Sequence, residues 1–428
     1  MLTTLLHSAT LTALVMLVLF TGTLIWRQIQ QHQQGDRLFK AELDVLKAQL
    51  DLFTSPVAKV ATEEEQVAWS GFRKFRIDRK VIEPGGCCSF YLKPHDGRPL
   101  PAFLPGQFLT FKLKIPGQVK DITRCYSLSD HPNPDYFRVT IKRVPPPPKS
   151  PELPPGLSSN HFHDNLHEGD ILDVRAPSGA FHLDVMARSP VVLIGGGIGV
   201  TPVLSMLNYI VTAPIKRETW FFYGVRNGTE VIHREHLESI ANTHPHVHIR
   251  ICYSDPLEGE LAGRDFQHGE RVSVDLFKRE LPHNSYDFYT CGPPPMMESI
   301  TKGLQEWSVE EEQIHYEAFG PATVKKVAKA EASGNSADAG ELVAVNFAGS
   351  KQTLTWDGKQ SSLLEFAEAN GIAMDSGCRA GNCGSCVTTV RDGGVSYPSG
   401  KPGFAVEKGC CLACVAVPKG GTVLVLDA

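Results

Sequence analysis

Cys378–Cys386 reads CRAGNCGSC, three thiols within nine residues, separated mostly by small side chains. Across 428 residues there are 11 cysteines, too few for a disulfide-dense small domain and too clustered here for scattered core thiols. A loop of this kind is suited to holding a metal or a cluster.

The spacing narrows the choice. Cys378, four residues, Cys383, two residues, Cys386 and later Cys414 in CLACVAVP (411–418) follow the plant-type ligand run of a 2Fe-2S cluster. Gly377, Ala380, Gly381 and Gly384 let the chain wrap closely and turn N–H groups toward sulfur, which offsets the negative charge of a reduced cluster. Zinc also accepts four thiolates, but its sites more often pair two Cys-x2-Cys clips. Cys410 and Cys411, adjacent and outside the run, are expected to be core thiols.

A one-electron centre needs a source of electrons, and VVLIGGGIGVTP (191–202) supplies a candidate. It reads as a buried strand, a turn through Gly195, Gly196, Gly197 and Gly199, and a helix starting at Thr201 and Pro202. That arrangement offers N–H groups and the positive end of a helix dipole to a pyrophosphate. Glycine richness alone is weak, but ETWFFYGV, HVHIRICYS and YDFYTCGPPPMMESITKGL continue an alternation of strand and helix, predicting a parallel α/β domain over 183–321. Ahead of it, FRKFRIDRKVI, QFLTFKLKI, YFRVTIKRV and DILDVRAP predict a small antiparallel β-barrel over 68–182. Within the barrel, RCYSL brings together a cation for phosphate (Arg124), a ring that can stack (Tyr126) and a hydroxyl (Ser127). The stretch 322–340 is rich in Ala, Lys, Ser and Gly and reads as a linker to a β-rich unit, 341–428.

Leu2–Trp26 contains no Asp, Glu, Lys or Arg, and roughly 20 apolar residues span a bilayer. Without a basic n-region or an Ala-x-Ala site it reads as an uncleaved anchor, residues 1–26, rather than a signal peptide. Arg27, Arg37, Lys40 and Lys47 follow the span, so the remainder is expected on the cytoplasmic side, where disulfides are disfavoured. Residues 27–67, with Leu38, Leu43, Leu46 and Leu50 at helical spacing, read as a stalk helix. A formal net charge of −5 gives no basis for nucleic-acid binding.

DSGCRAGNCGSCVTTVRDG and CLACVAVP resemble plant-type ferredoxins, which implies a β-grasp fold for 341–428. The glycine turn together with YTCGPPPMM resembles the pyridine-nucleotide domain of the ferredoxin–NAD(P)H reductase superfamily, implying that Cys291, Gly292 and Pro293 lie beside the nicotinamide. RCYSL is similar to that superfamily's Arg-x-Tyr-Ser flavin motif, PGQF (105–108) to its preceding strand, and GLSSNHFHDNLHEGD (156–170) to its phosphate segment. By that resemblance Gln107, Phe108, Arg124, Tyr126, Ser127, Leu128, Gly156, Ser159 and Asn160 would surround the flavin, and Ser127 and Cys291 would serve hydride transfer. AWSGFRKFRI (68–77) and IHYEAFGP (314–321) resemble the reductase half of flavohaemoglobins, which favours FAD over FMN and would place Phe319 over the flavin. A flavohaemoglobin has a globin ahead of these domains, whereas only about 70 residues precede the barrel here and most read as span and stalk, so nitric oxide dioxygenation by this chain alone is not expected.

The expected protein is therefore a membrane-anchored reductase carrying electrons from NAD(P)H through FAD and a 2Fe-2S cluster to a partner oxygenase, hydroxylase or desaturase. A respiratory NADH:quinone oxidoreductase subunit is the enzymatic alternative, though the related subunit there has its ferredoxin unit first. A membrane redox sensor is the non-enzymatic one. Arg226, after FFYGV, is a cation for a 2′-phosphate, but only Arg234 accompanies it, which favours NADH. VPPPPKSPELPPG (144–156) reads as a stiff surface loop, and His244, His246 and His248 as the solvent side of a strand.

Overall fold

The computed structural model describes residues 69, 71–147, 150–214, 216–317, 319, 342–377, 379, 381, 383–398, 402, 404, 406–420 and 423–428. The expected span and stalk (1–67), the linker 322–340 and Cys378 lie outside the described residues. Among the described residues no helix is long and apolar enough to cross a membrane.

Six strands form the first sheet: β1 (Arg73–Glu83), β2 (Cys87–Pro94), β3 (Phe108–Leu113), β4 (Ile122–Ser127), β5 (Phe137–Lys142) and β6 (Ile171–Ser178). Their order is β4-β3-β6-β1-β2-β5, with antiparallel neighbours throughout, and a bridge between Leu128 and Val139 joins the two edges into a barrel. Period-two alternation sends Phe75 and Ile77, Phe90 and Leu92, and Leu109 and Phe111 inside, where they are essentially solvent-free. Helix α1 (Leu157–Asp164) plugs the barrel with Phe162, whose ring meets Phe90, Phe111 and Tyr126 edge-on at 5.1–5.3 Å. Each ring so buried contributes about 1.5–3 kcal/mol. The helix is held at its other end by Lys80, whose ammonium donates to the carbonyls of His163 (2.7 Å) and Leu166 (2.8 Å), satisfying acceptors that a helix C-terminus leaves open.

The second sheet runs β7 (Val191–Gly196), β8 (Thr219–Val225), β9 (Val247–Tyr253), β10 (Asp287–Cys291) and β11 (Ile314–Glu317) in the all-parallel order β11-β10-β7-β8-β9. Its helices are α2 (Val200–Thr212), α3 (Arg234–Thr243), α4 (Val274–Glu280) and α5 (Pro294–Glu306). The central strand β7 is buried along its whole length, as a parallel strand covered on both faces must be. Helix α2 begins at Val200, one residue before the expected start, because Gly197–Gly199 already turns as a 3-10 segment. The three histidines do not share a strand: His244 caps α3, His246 lies in the following turn, and only His248 is in β9, with its ring 4.3 Å from that of Trp220.

Asp130, just past β4, joins barrel to α/β domain. Its carboxylate accepts from Asn208 of α2 (2.8 Å) and Tyr136 (3.0 Å) and lies 3.4 Å from Arg138, while its carbonyl accepts from Ser205 (2.6 Å). Burial alone would raise its pKa. Hydrogen bonding from His131, the charge of Arg138 and the Asn208 amide outweigh that and hold it well below the usual carboxylate range.

The third unit contains β12 (Val343–Phe347), β13 (Gln352–Trp356), α6 (Leu363–Ala369), β14 (Val387–Asp392), β15 (Val395–Ser396), β16 (Cys410–Leu412), β17 (Val417–Pro418) and β18 (Leu424–Leu426). Its main sheet, β13-β12-β18-β14-β16, pairs the first and last strands, β12 and β18, in parallel and packs α6 on one face, a β-grasp arrangement. Ser362 caps α6 by accepting from the Glu365 N–H. Cys411 lies in the core of this unit, and burial pushes its thiol up to about 12, so it stays a neutral apolar filler.

Candidate functional site

Strand β4 presents Arg124, Tyr126 and Ser127 in graded exposure: the arginine in solvent, the ring half-buried, the hydroxyl buried. Tyr126 is fixed by a 2.9 Å hydrogen bond shared with the Ser158 hydroxyl in the first turn of α1 and by its edge contact with Phe162. The helix N-terminus is thereby delivered to the flavin motif. Gly156 is required there, since a Cβ would come 2.7 Å from Val144. Ser159 and Asn160 brace this turn themselves: the Ser159 hydroxyl donates to Gly156 O (3.2 Å), and the Asn160 amide donates to Gly156 O (2.7 Å) and Val144 O (2.9 Å). Gln107 likewise holds its own loop, accepting from the Leu104 N–H at 2.9 Å, and its carbonyl accepts from Leu128. Phe108 is buried against Gly179, where any side chain would strike its ring. Phe319 is 39% exposed.

The glycine turn and the Cys-Gly-Pro segment prove to be one construction. A Cβ on Gly199 would lie 2.4 Å from the Cys291 carbonyl, one on Gly196 would meet Met296 and Pro293, and one on Gly195 would meet the Val200 backbone at 2.8 Å. Gly197 faces open space instead and is glycine for its left-handed φ of +54°. Thr201 is buried and donates to Ile198 O at 3.0 Å, closing the turn at the head of α2. Bare backbone at a helix start is what a pyrophosphate fits.

Cys291, at the end of β10, is fully buried, and desolvation raises its thiol pKa well above the ordinary value. In register across from it on β11 stands Glu317, a residue that sequence reasoning did not single out. Glu317 is partly exposed as a residue, yet its Oε2 is out of solvent with no hydrogen-bond partner among the described residues, and burial pushes its pKa up to about 8. A carboxyl kept protonated near neutrality beside a nucleotide turn is a candidate proton holder. Arg226, the expected cation for a 2′-phosphate, is instead paired with Glu230 at 2.6 Å, and Lys142 of the barrel reaches the same carboxylate at 3.5 Å.

In the β-grasp unit Cys383, Cys386 and Cys414 are buried. Hydrogen bonding with Cys414 lowers the Cys386 thiol pKa despite its burial, so the thiolate that a metal needs is favoured. Gly377 and Gly384 leave room for this loop: a Cβ on the first would stand 2.9 Å from the Cys383 sulfur, and one on the second would penetrate the Phe404 ring. Among the described residues no group of three or more metal-ligating side chains is gathered, and Cys378, needed to complete the set, lies outside them. The donor chemistry, buried thiols under a glycine-lined loop, fits an iron–sulfur cluster.

Residues 90–183 match the oxidoreductase FAD-binding domain, 193–302 the oxidoreductase NAD-binding domain and 345–419 the 2Fe-2S iron-sulfur cluster binding domain. A flavohemoprotein of Halalkalibacterium halodurans is 38% identical over 299 residues, 69% of this chain and 72% of that one. The FAD/NAD binding domain of a nitric oxide dioxygenase from Vibrio cholerae O1 biovar El Tor superposes with a TM-score of 0.51 at 30% identity, over 59% of this chain and all of that chain. Phthalate dioxygenase reductase, described as a modular structure for electron transfer from pyridine nucleotides to [2Fe-2S], superposes with a TM-score of 0.50 over 88% of this chain and all of that chain; at 23% identity it shows the shared fold. With the three cofactor domains in this order, the chain belongs to the ferredoxin–NAD(P)H reductase superfamily and is an NAD(P)H oxidoreductase that passes electrons through FAD to a 2Fe-2S cluster.

Proposed function

We infer that the chain is a membrane-tethered reductase component whose cluster hands single electrons to an oxygenase, hydroxylase or desaturase. The observation that carries this reading is the contact between the Cys383 loop and the flavin barrel, through Arg175 at 3.0 Å, which makes the β-grasp unit the outlet of the barrel. The tether is supported by Leu2–Trp26, free of charged side chains, and by the basic residues after it, which favour a cytoplasmic catalytic part.

When bound, FAD accepts the two electrons of a nicotinamide hydride and releases them one at a time. The chain's own residues would set that exchange up. Arg124 and the first turn of α1 would hold its phosphate, Tyr126 would offer a ring to the flavin, and the Ser127 hydroxyl would offer a hydrogen bond to a flavin nitrogen. Buried Cys291 would exclude water beside a bound nicotinamide, and protonated Glu317 would hold a proton at its carboxyl. The pairing of Arg226 with Glu230 favours NADH, because a 2′-phosphate would have to compete with that carboxylate.

The test uses the full chain in detergent. Two irons per chain, an electron paramagnetic resonance signal from a reduced 2Fe-2S centre, and NADH-driven reduction of cytochrome c are expected. Cys414→Ser should bleach the cluster absorption and abolish cytochrome c reduction while ferricyanide reduction, which a flavin supports directly, persists, because an alkoxide is a harder ligand than a thiolate. Stoichiometric zinc without a signal would overturn the electron-transfer role of the last unit.

A further inference from the structure

Arg175 belongs to β6 of the barrel, yet its Nη1 donates to the backbone carbonyl of Cys383, 208 residues later in sequence. Its guanidinium lies 4.8 Å from the centre of the Phe72 ring, which holds the planar group in place by a cation–π contact. Its Nε is buried and meets no acceptor among the described residues. Leaving a buried charged donor partly unsatisfied is costly, and such costs persist where function retains the residue.

The position of Arg175 in the sheet gives the contact its meaning. Arg175 stands opposite Thr110 on β3, and Thr110 stands opposite Cys125 on β4, between Arg124 and Tyr126 of the flavin motif. Two strand spacings, about 10 Å in all, thus separate the Arg175 backbone from the flavin strand. The Thr110 hydroxyl and the Cys125 sulfur are 3.4 Å apart, so the row is continuous on its flavin side. On the other side the arginine reaches the carbonyl of a cluster ligand. A cation hydrogen-bonded to that peptide stabilises extra negative charge on the cluster and so favours its reduced form.

We propose that Arg175 is a positioning residue for transfer between the two cofactors: it seats the cluster loop on β6, making the β4-β3-β6 row the crossing point, and it eases reduction of the cluster. The inference rests on Cys383 being a cluster ligand.

The experiment compares Arg175→Ala and Arg175→Lys in the full chain loaded with FAD and cluster. Stopped-flow mixing with NADH should reduce the flavin at a rate within about twofold of the wild type, while electron passage from flavin to cluster slows about tenfold or more, the equivalent of one lost charge-assisted hydrogen bond in the transfer geometry. Backbone hydrogen exchange in peptides covering 383–392 should rise in Arg175→Ala, and a redox titration followed by paramagnetic resonance should give a lower cluster potential. Arg175→Lys keeps the charge but not the fork, so it should restore the potential and recover only part of the transfer rate. If Arg175→Ala loses a cofactor, Arg175→Gln, which retains a donor and most of the side-chain volume, carries the same measurements. Wild-type transfer, exchange and potential together in a fully loaded variant would overturn the proposal. A wild-type protein without a 2Fe-2S signal would instead overturn the assignment of the ligands, and the two failures are distinct.

Discussion

Glu317 shows how a side chain acquires a chemical role from its neighbours. Its pKa is raised from 4.5 to about 8, so the folded state binds the proton more tightly than the unfolded chain does. The associated stability is fully present below 4.5 and is lost as pH rises toward 8, at up to about 1.4 kcal/mol per pH unit. Urea unfolding at a series of pH values should show this decline in the wild type and a much flatter profile in Glu317→Gln, which is neutral throughout. Equal slopes would show that Glu317 is ionised in the folded protein. Nothing within IHYEAFGP marks this residue, because its meaning lies in the β10–β11 register and in burial of one oxygen. The cysteine run and the glycine turn were legible for the opposite reason: ligand spacing and missing Cβ atoms are local properties of the chain. Arg226 sits between these cases: its residue type was legible, but its pairing with Glu230 four residues later came only from the structure.

Strands and helices with regular burial were readable because alternation and helical spacing report directly on which face is covered. β11 was harder, being four residues long and only partly buried. The histidine series misled because three alternate positions span a helix cap, a turn and a strand rather than one element. The link between barrel and α/β domain was hidden altogether, since Asp130 and Asn208 are 78 positions apart and neither belongs to a motif. Removing that carboxylate in Asp130→Ala leaves the Asn208 amide buried without its acceptor and the buried Arg138 charge with only its Ser129 acceptors and no counter-charge. A loss of about 3–5 kcal/mol is expected on breaking a buried pair, read as a fall in the urea midpoint. Asp130→Asn keeps the shape and part of the hydrogen bonding and should cost less. A drop below about 1 kcal/mol in Asp130→Ala would mean that water replaces the lost contacts.

The succession of barrel, nucleotide domain and β-grasp unit was written in the sequence because each contributes its own motif and composition. The seating of the last on the first was not, since the hydrogen bond from Arg175 to the Cys383 carbonyl joins residues 208 positions apart and belongs to no motif. The tether can be tested at this level: deleting residues 1–27 should move the protein from the membrane fraction to the supernatant with NADH-driven ferricyanide reduction intact, and an unchanged membrane fraction would transfer the anchoring role to another segment. The strand order carries a further implication. β7, made first, occupies the middle of the parallel sheet, whereas β11, made last, closes one edge and brings Glu317 opposite Cys291. Domains fold as units, N-terminal first, while the ribosome extends the chain. A nascent chain can therefore close its flavin barrel well before it owns a finished nicotinamide site, so an interrupted translation product is poorly equipped to oxidise NADH and leak electrons to dioxygen.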